Sequence, residues 1–215
     1  MRLFPLFLKL RGRHCLVVGG GKISEGKVAG LLSTGARITL VSPEVTTRIA
    51  AWHRQGQLHW KKRKFRATDL KGVFLVVAAT SSSHAHRVLF RQARKRGILC
   101  NIVDVPELCN FYYPAVLQRG DLQIAISTGG ASPSLAKRLR KQFENIFGRE
   151  YGPWVKALAR KRNAILKRRL APAHRMQLLE ELAAAESFAD YRKRFLKNKR
   201  AARAPKSRAR SSWPA

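Results

Sequence analysis

The feature that most restricts this chain is an apolar run, Cys15-Leu16-Val17-Val18, that stops at three consecutive glycines, Gly19 to Gly21. A helical pattern begins at once with Lys22. An unbroken apolar run of this length fits a strand covered on both faces. The spacing Gly19-x-Gly21-x-x-Ser24 is a variant of the strand–turn–helix fingerprint that holds a dinucleotide pyrophosphate, with Ser at the third small position. Gly19 suits the tight turn, and Gly21 lets backbone approach the phosphates. The helix N-terminus behind them carries roughly half a positive charge.

The pattern then repeats. Residues 22–34 predict a helix, with Gly35 near its end; 37–41 predict a second strand, ending at Ser42-Pro43-Glu44. Glu44 can bind the adenine ribose or be a solvated loop acid, and the spacing leaves both open. An acid there favours NAD, whereas Arg48 keeps NADP in play. Residues 57–60 alternate as a third strand, and the apolar run 73–79 is a fourth. Thr80-Ser81-Ser82-Ser83 stops that strand and caps a helix over 84–96, with Gly97 after it. The fifth strand, 98–103, ends at Asp104. Alternating strands and helices predict an α/β, Rossmann-type doubly wound parallel sheet. Ligands of such sheets lie beyond the strands' carboxyl ends. Gly19–Gly21, Ser42–Glu44, Thr80 and Asp104 all fall there, so Thr80 is expected near the cofactor.

After Asp104 the pattern changes. Residues 111–115 are aromatic and extended, following an extended lead-in over 3–10, and 122–127 read as a strand. Thr128-Gly129-Gly130-Ala131-Ser132-Pro133 follows, with Ser132 as helix cap and Pro133 at the first helical position. Leu135, Leu139, Phe143 and Ile146 share one side of that helix, which stops at Gly148. From Trp154 onward amphipathic helices rich in Arg and Lys are broken by Pro172, with Leu178, Leu179, Leu182 and Phe188 on the apolar side. The expected division is a dinucleotide-binding domain over 1–112, a small α+β region over 113–148, a helical domain over 149–197 and a disordered basic tail over 198–215.

Lys and Arg number 44 against 12 acids, a net charge of +32 over 215 residues, and ten of those cations follow residue 191. Such a charge favours anionic partners. The cysteines Cys15, Cys100 and Cys109 show no C-x-x-C spacing, which suits a reduced, cytoplasmic protein. No apolar run approaches the ~18 residues of a membrane helix, and residues 1–10 lack the marks of a signal peptide. No metal-ligand spacing is present: His84 and His86 are expected at the surface, His14 to be structural, and Cys100 and Cys109 to be packed rather than ligating. No helix-turn-helix, RNA-recognition or zinc signature is present, so neither nucleic acid nor membrane is an expected partner.

Pro5-Leu6-Phe7, Val17-Val18-Gly19-Gly20-Gly21 with Lys27, Gly35-Ala36, Val77-Ala78-Ala79-Thr80, Cys100-Asn101-Ile102-Val103-Asp104 and Ile126 through Pro133 together resemble the precorrin-2 dehydrogenase/sirohydrochlorin ferrochelatase family. These are stand-alone siroheme synthases, similar to the N-terminal module of a longer trifunctional enzyme whose methyltransferase half has no counterpart here. The likeness covers about residues 3–145, and the helical region fits in length and character only. It implies NAD-dependent oxidation of precorrin-2 to sirohydrochlorin, and in many members insertion of ferrous iron as a substrate. It also implies a homodimer built by the central region. By matching position, Gly19, Gly21, Lys22, Ile23, Pro43 and Glu44 are expected at the cofactor, and Thr128, Gly129 and Gly130 at the substrate. Asp104 matches the aspartate serving both chemistries; as a carboxylate at the strand rim it can accept a proton, and a turn cap is its alternative role. Position 128 is a phosphorylatable serine in some relatives, and Thr128 departs from that. The competing reading is a non-enzymatic NAD-sensing regulator or nucleic-acid-binding protein, favoured by the basic tail.

Overall fold

The structure is a computed structural model that describes residues 3–80 and 82–201. It divides into two compact units, the first ending at Tyr113 and the second starting at Pro114. In the first, strands β1 (His14–Val18), β2 (Arg37–Val41), β3 (His59–Lys61), β4 (Leu75–Ala78) and β5 (Leu99–Ile102) form one parallel sheet in the order β3-β2-β1-β4-β5. Register pairs Val18 with Val41 and Ala78, and Ala78 with Ile102. The carboxyl ends of these four strands therefore lie level along one rim.

Both sheet faces are covered, which is why the central strands carry no polar alternation. Cys15, Val17, Leu40 and Val77 face one core, closed by Val28 and Leu31 of helix α1 (Lys22–Leu32) and Ile49 of α2 (Thr47–Arg54). Leu16, Val18, Val76 and Ala78 face the other, closed by Leu89 and Ala93 of α3 (Ser83–Lys95) and by Leu70. Ser82 caps α3 by accepting from the Ala85 N–H at 3.3 Å. Leu70 ends a short 3₁₀ turn, Ala67–Leu70, whose Asp69 is fully buried. Asp69 accepts from Arg63, from Lys61 of β3 at 3.1 Å and from the Arg66 N–H at 2.9 Å. Burial pushes its carboxyl up, but these donors, Arg63 foremost, outweigh that and hold it well below the usual carboxylate range.

Several element boundaries differ from expectation. α1 stops at Leu32 and the positive φ falls at Gly35, two residues after the Ser33 cap. β3 is displaced to His59–Lys61, β4 is shorter at both ends, and α2 is an element the sequence pattern did not indicate. Past the edge strand β5, Asn110 satisfies the outer backbone groups: its N–H donates to Cys100 O (3.0 Å), its Oδ1 accepts from Cys100 N (2.7 Å) and its Nδ2 donates to Ile98 O (3.0 Å).

The second unit opens with an antiparallel hairpin of β6 (Ala115–Arg119) and β7 (Leu122–Ile126). Only the second of these strands was foreseen. Ser132 caps α4 (Pro133–Ile146), accepting from the Leu135 N–H at 3.2 Å, with Pro133 in the first turn as expected. Arg119 Nε donates to Phe147 O at 2.9 Å. Helices α5 (Tyr151–Leu166), α6 (Pro172–Ala183) and α7 (Ala185–Ala201) follow. Phe188 packs on Tyr151 and Trp154 with ring centroids 4.3 and 4.7 Å apart. Among the described residues only Leu117 and Ala136 of this unit are fully buried. The tail expected from 198 is helical through Ala201, and its remainder, 202–215, lies outside the described residues.

Candidate active site

The glycine turn after β1 is wedged between two neighbouring loops. Gly19 has φ +113°, and a β-carbon on it would overlap the Ala79 carbonyl after β4. A β-carbon on Gly20 would overlap the Glu44 carbonyl after β2. Gly19 N–H donates to Val41 O and Thr46 N–H donates to Gly20 O, both at 3.0 Å. Gly21 differs: nothing lies within 4 Å of where its β-carbon would be. It is the N-cap of α1 and supplies no side-chain cap, so the first N–H groups of the helix have no capping side chain. Lys22 and Ile23 flank them, with Ile23 53% exposed despite being apolar.

One turn into α1, Glu25 is buried and accepts from Thr46 Oγ1 at 2.7 Å. That hydrogen bond, helped by Lys22 at 3.5 Å and Arg48 at 3.6 Å, holds its carboxyl below the usual range. An acid beneath an anion site is thus neutralised by its own clamp, which ties the loop after β2 to α1. In that loop Ser42 is buried, while Pro43 and Glu44 are exposed on the rim. The buried Ser24 Oγ behind the glycine turn has no hydrogen-bond partner.

At the end of β4, Thr80 Oγ1 lies 3.0 Å from His86 Nε2. His86 is buried, which corrects the expected surface placement; His84 alone is exposed. The two are two residues apart on a helix, so they point to different sides. His14 is half-buried against Thr39 Oγ1 at 2.9 Å, in the structural part expected of it. Burial, and then Arg37, lowers its pKa.

Asp104 follows β5, exposed, with φ +63°, the only non-glycine with positive φ among the described residues. Holding an L-residue there costs roughly 1 kcal/mol or more. Val103 N–H donates to Ala78 O at 2.9 Å, which keeps the Asp104 turn beside the end of β4. Lys27 of α1 sits 3.7 Å above the Tyr113 ring. Burial lowers its pKa, and the nearby Asp104 and Cys109 oppose this. Cys109 packs into the Asp104 turn, and burial raises its pKa; Cys15 and Cys100, buried in the sheet, are pushed up to about 11 and about 12. All three are packed thiols, as expected of Cys100 and Cys109.

The structure therefore gathers Gly19, Gly21, Lys22, Ile23, Pro43, Glu44, Thr80 and Asp104 on one rim of the first unit. Sequence spacing missed Gly20, Glu25, Lys27, Thr46 and His86, whose parts depend on contacts between loops. Thr128, Gly129 and Gly130 lie in the second unit and make a compact turn of their own. Thr128 Oγ1 accepts from the Ser132 N–H at 3.0 Å, and the two glycines have φ of +62° and +90°. Among the described residues no group of three or more His, Cys, Asp or Glu is placed to hold a metal ion, and no helix is long and apolar enough to cross a membrane.

Residues 6–115 match the family model described as putative NAD(P)-binding, and 119–146 match that of the sirohaem biosynthesis protein central region. The siroheme synthase of Methylobacillus flagellatus is 40% identical over 168 residues, 78% of this chain and 36% of that enzyme. The siroheme synthase of Nitrosococcus oceani is 36% identical over the same shares of the two chains. The chain thus spans about a third of the length of these relatives. The solved structure of SirC, a precorrin-2 dehydrogenase, superposes with a TM-score of 0.74 at 31% identity, covering 91% of this chain and all of that one.

Proposed function

Since the chain belongs to the precorrin-2 dehydrogenase/sirohydrochlorin ferrochelatase family, we propose that it oxidises precorrin-2 to sirohydrochlorin with NAD. The observation that carries this reading is the level placement of an open, helix-backed glycine turn after β1 and a carboxylate on a left-handed turn after β5. The residues present fit a dinucleotide. Gly19 and Gly20 fill their loop contacts without a β-carbon, whereas Gly21 leaves the backbone open to an anion.

In this reading the N–H groups of Gly21, Lys22 and Ile23 hold the pyrophosphate, and the α1 dipole favours its charge. The exposed Ile23 side chain covers the bound cofactor, and Pro43 and Glu44 border its adenine ribose. Thr80, oriented by His86, lines the end of β4. When bound, NAD supplies the hydride acceptor. Asp104 accepts the proton that the substrate loses as its carbon skeleton is oxidised. Ferrous iron enters as a second substrate in the chelatase reaction, where the same carboxylate takes pyrrole N–H protons. Thr128, Gly129 and Gly130 contact the tetrapyrrole. The basic surface draws in its carboxylates, and arginine forks match them.

The division into a dinucleotide domain, a central dimerisation region over 113–148 and a helical domain over 149–197 belongs to this proposal, as do a homodimer and a cytoplasmic location. The thin core of the second unit supports the dimer: Val116, Leu135 and Ile146 are 43%, 37% and 61% exposed there.

The test is an anaerobic assay with precorrin-2 and NAD, followed by sirohydrochlorin absorbance. Turnover is expected in the parent. Asp104→Asn should retain NAD binding and lose on the order of 10²- to 10⁴-fold in rate. Undiminished turnover in that variant removes Asp104 as proton acceptor. Salt-sensitive DNA binding without turnover in the parent supports the non-enzymatic reading instead. Ferrous iron added to the completed reaction then reads chelation against the uncatalysed rate.

A further inference from the structure

The Asp104 turn is a closed loop with a thiol inside it. Cys109 Sγ accepts from the Ile102 N–H at 3.3 Å and lies 3.2 Å from Ile102 O and 3.3 Å from Val105 O. The single S–H proton can donate to either carbonyl. Asn101 Nδ2 reaches the same sulfur at 3.5 Å. These partners straddle Asp104, with residue 102 before it and residue 105 after it. The backbone closes the loop as well: Val105 N–H donates to Ile102 O at 3.2 Å, Leu108 N–H to Val105 O at 3.0 Å and Cys109 N–H to Pro106 O at 3.1 Å. None of these backbone bonds involves Asp104 itself, the residue that carries the unfavourable φ.

We propose that Cys109 is a positioning residue for the reaction, its thiol holding both flanks of Asp104 so that the carboxylate stays on the cofactor rim. The proposal rests on the reading of Asp104 as proton acceptor. The thiol is half-buried and raised in pKa, so it remains a neutral S–H donor. Lys27 of α1 lies near the same turn. A turn free to leave the left-handed region would swing the carboxylate away while leaving the glycine turn, and so NAD binding, intact. A displacement of about 1 Å can cost on the order of 100-fold in rate.

The experiment compares Cys109→Ala with Cys109→Ser in full-length protein. The alanine variant is expected to lose on the order of tenfold or more in kcat, with the NAD dissociation constant and melting temperature near those of the parent. Serine keeps a donor and acceptor and should restore most of kcat. An alanine variant with parental kcat overturns the proposal, and so does equal loss in both variants. If the alanine variant does not fold, Cys109→Thr and Cys109→Val replace it, since they match in shape and differ by the hydroxyl. Higher kcat in the threonine variant supports the proposal, and equal kcat overturns it. Asp104→Asn separates the two readings: its retained turnover sinks the role of Asp104, whereas its loss beside an unaffected Cys109→Ala sinks only the role of the thiol.

Discussion

Gly20 and Gly21 stand side by side with opposite constraints. Gly20 touches the Glu44 carbonyl so closely that any side chain must displace the loop after β2. Gly20→Ala is expected to cost about 1–3 kcal/mol in stability and to weaken NAD binding with it. Gly21 faces open space, so Gly21→Asp should melt like the parent while a carboxylate set against the pyrophosphate weakens NAD binding at least tenfold. Calorimetric titration with NAD beside melting curves checks both, and equal NAD affinity in parent and Gly21→Asp contradicts the phosphate-turn assignment. Only the second of these constraints was visible in the spacing. Gly20 owes its constraint to a residue on another loop, which a linear pattern does not display. His86 escaped for a related reason: its burial depends on which side of α3 turns toward Thr80. Asp104 was visible as the acid that ends a strand, but its left-handed backbone was not, because that comes from closure of the loop around Cys109.

The strands that pack on both faces were easy to find, since continuous apolar runs such as Val73 to Ala79 have few other uses. α2 was not, because only Ile49 of its eight residues is fully buried, with Trp52 as its one other large apolar side chain on the core. The Ser132 cap was expected, and so was a cap within Thr80 to Ser83, which falls at Ser82, since each needs only its own helix start. The tie between β3 and the 3₁₀ turn was not expected, because Asp69 finds Lys61 and Arg63 only once the chain has folded. That tie has a pH signature. The folded carboxyl titrates below its ordinary 3.8, so the folded state binds fewer protons than the unfolded chain as acid is added. Its stabilisation is therefore complete above about pH 4 and fades as the pH falls below that. Denaturation midpoints measured from pH 5 to pH 2 should drop steeply in the parent and less steeply in Asp69→Asn, which starts lower at pH 5. Parallel slopes would mean that Asp69 is not the group responsible.

Across the whole chain the charge of +32 acts on encounter rather than on chemistry. If the substrate is a polycarboxylate, raising ionic strength from roughly 0.05 to 0.5 M shortens the screening length and should lower kcat/KM several-fold with little change in kcat. An equal fall in both would place the salt effect in the chemical step instead. At this scale the fold class followed from the alternation of elements, and the shallow packing of the second unit did not. Its helices show the expected apolar sides at Leu178, Leu179, Leu182 and Phe188, yet these remain only partly buried.

Asn110, lying along β5, has a consequence for how molecules of this protein meet one another. Ile98 O, Cys100 N and Cys100 O are already engaged by Asn110, and Ile102 N by the Cys109 thiol. At the far side β3 runs for only three residues. Along the β5 edge a neighbouring chain thus finds these backbone groups already taken, so the parallel sheet resists edge-to-edge clumping there even when salt screens the mutual repulsion of so many cations.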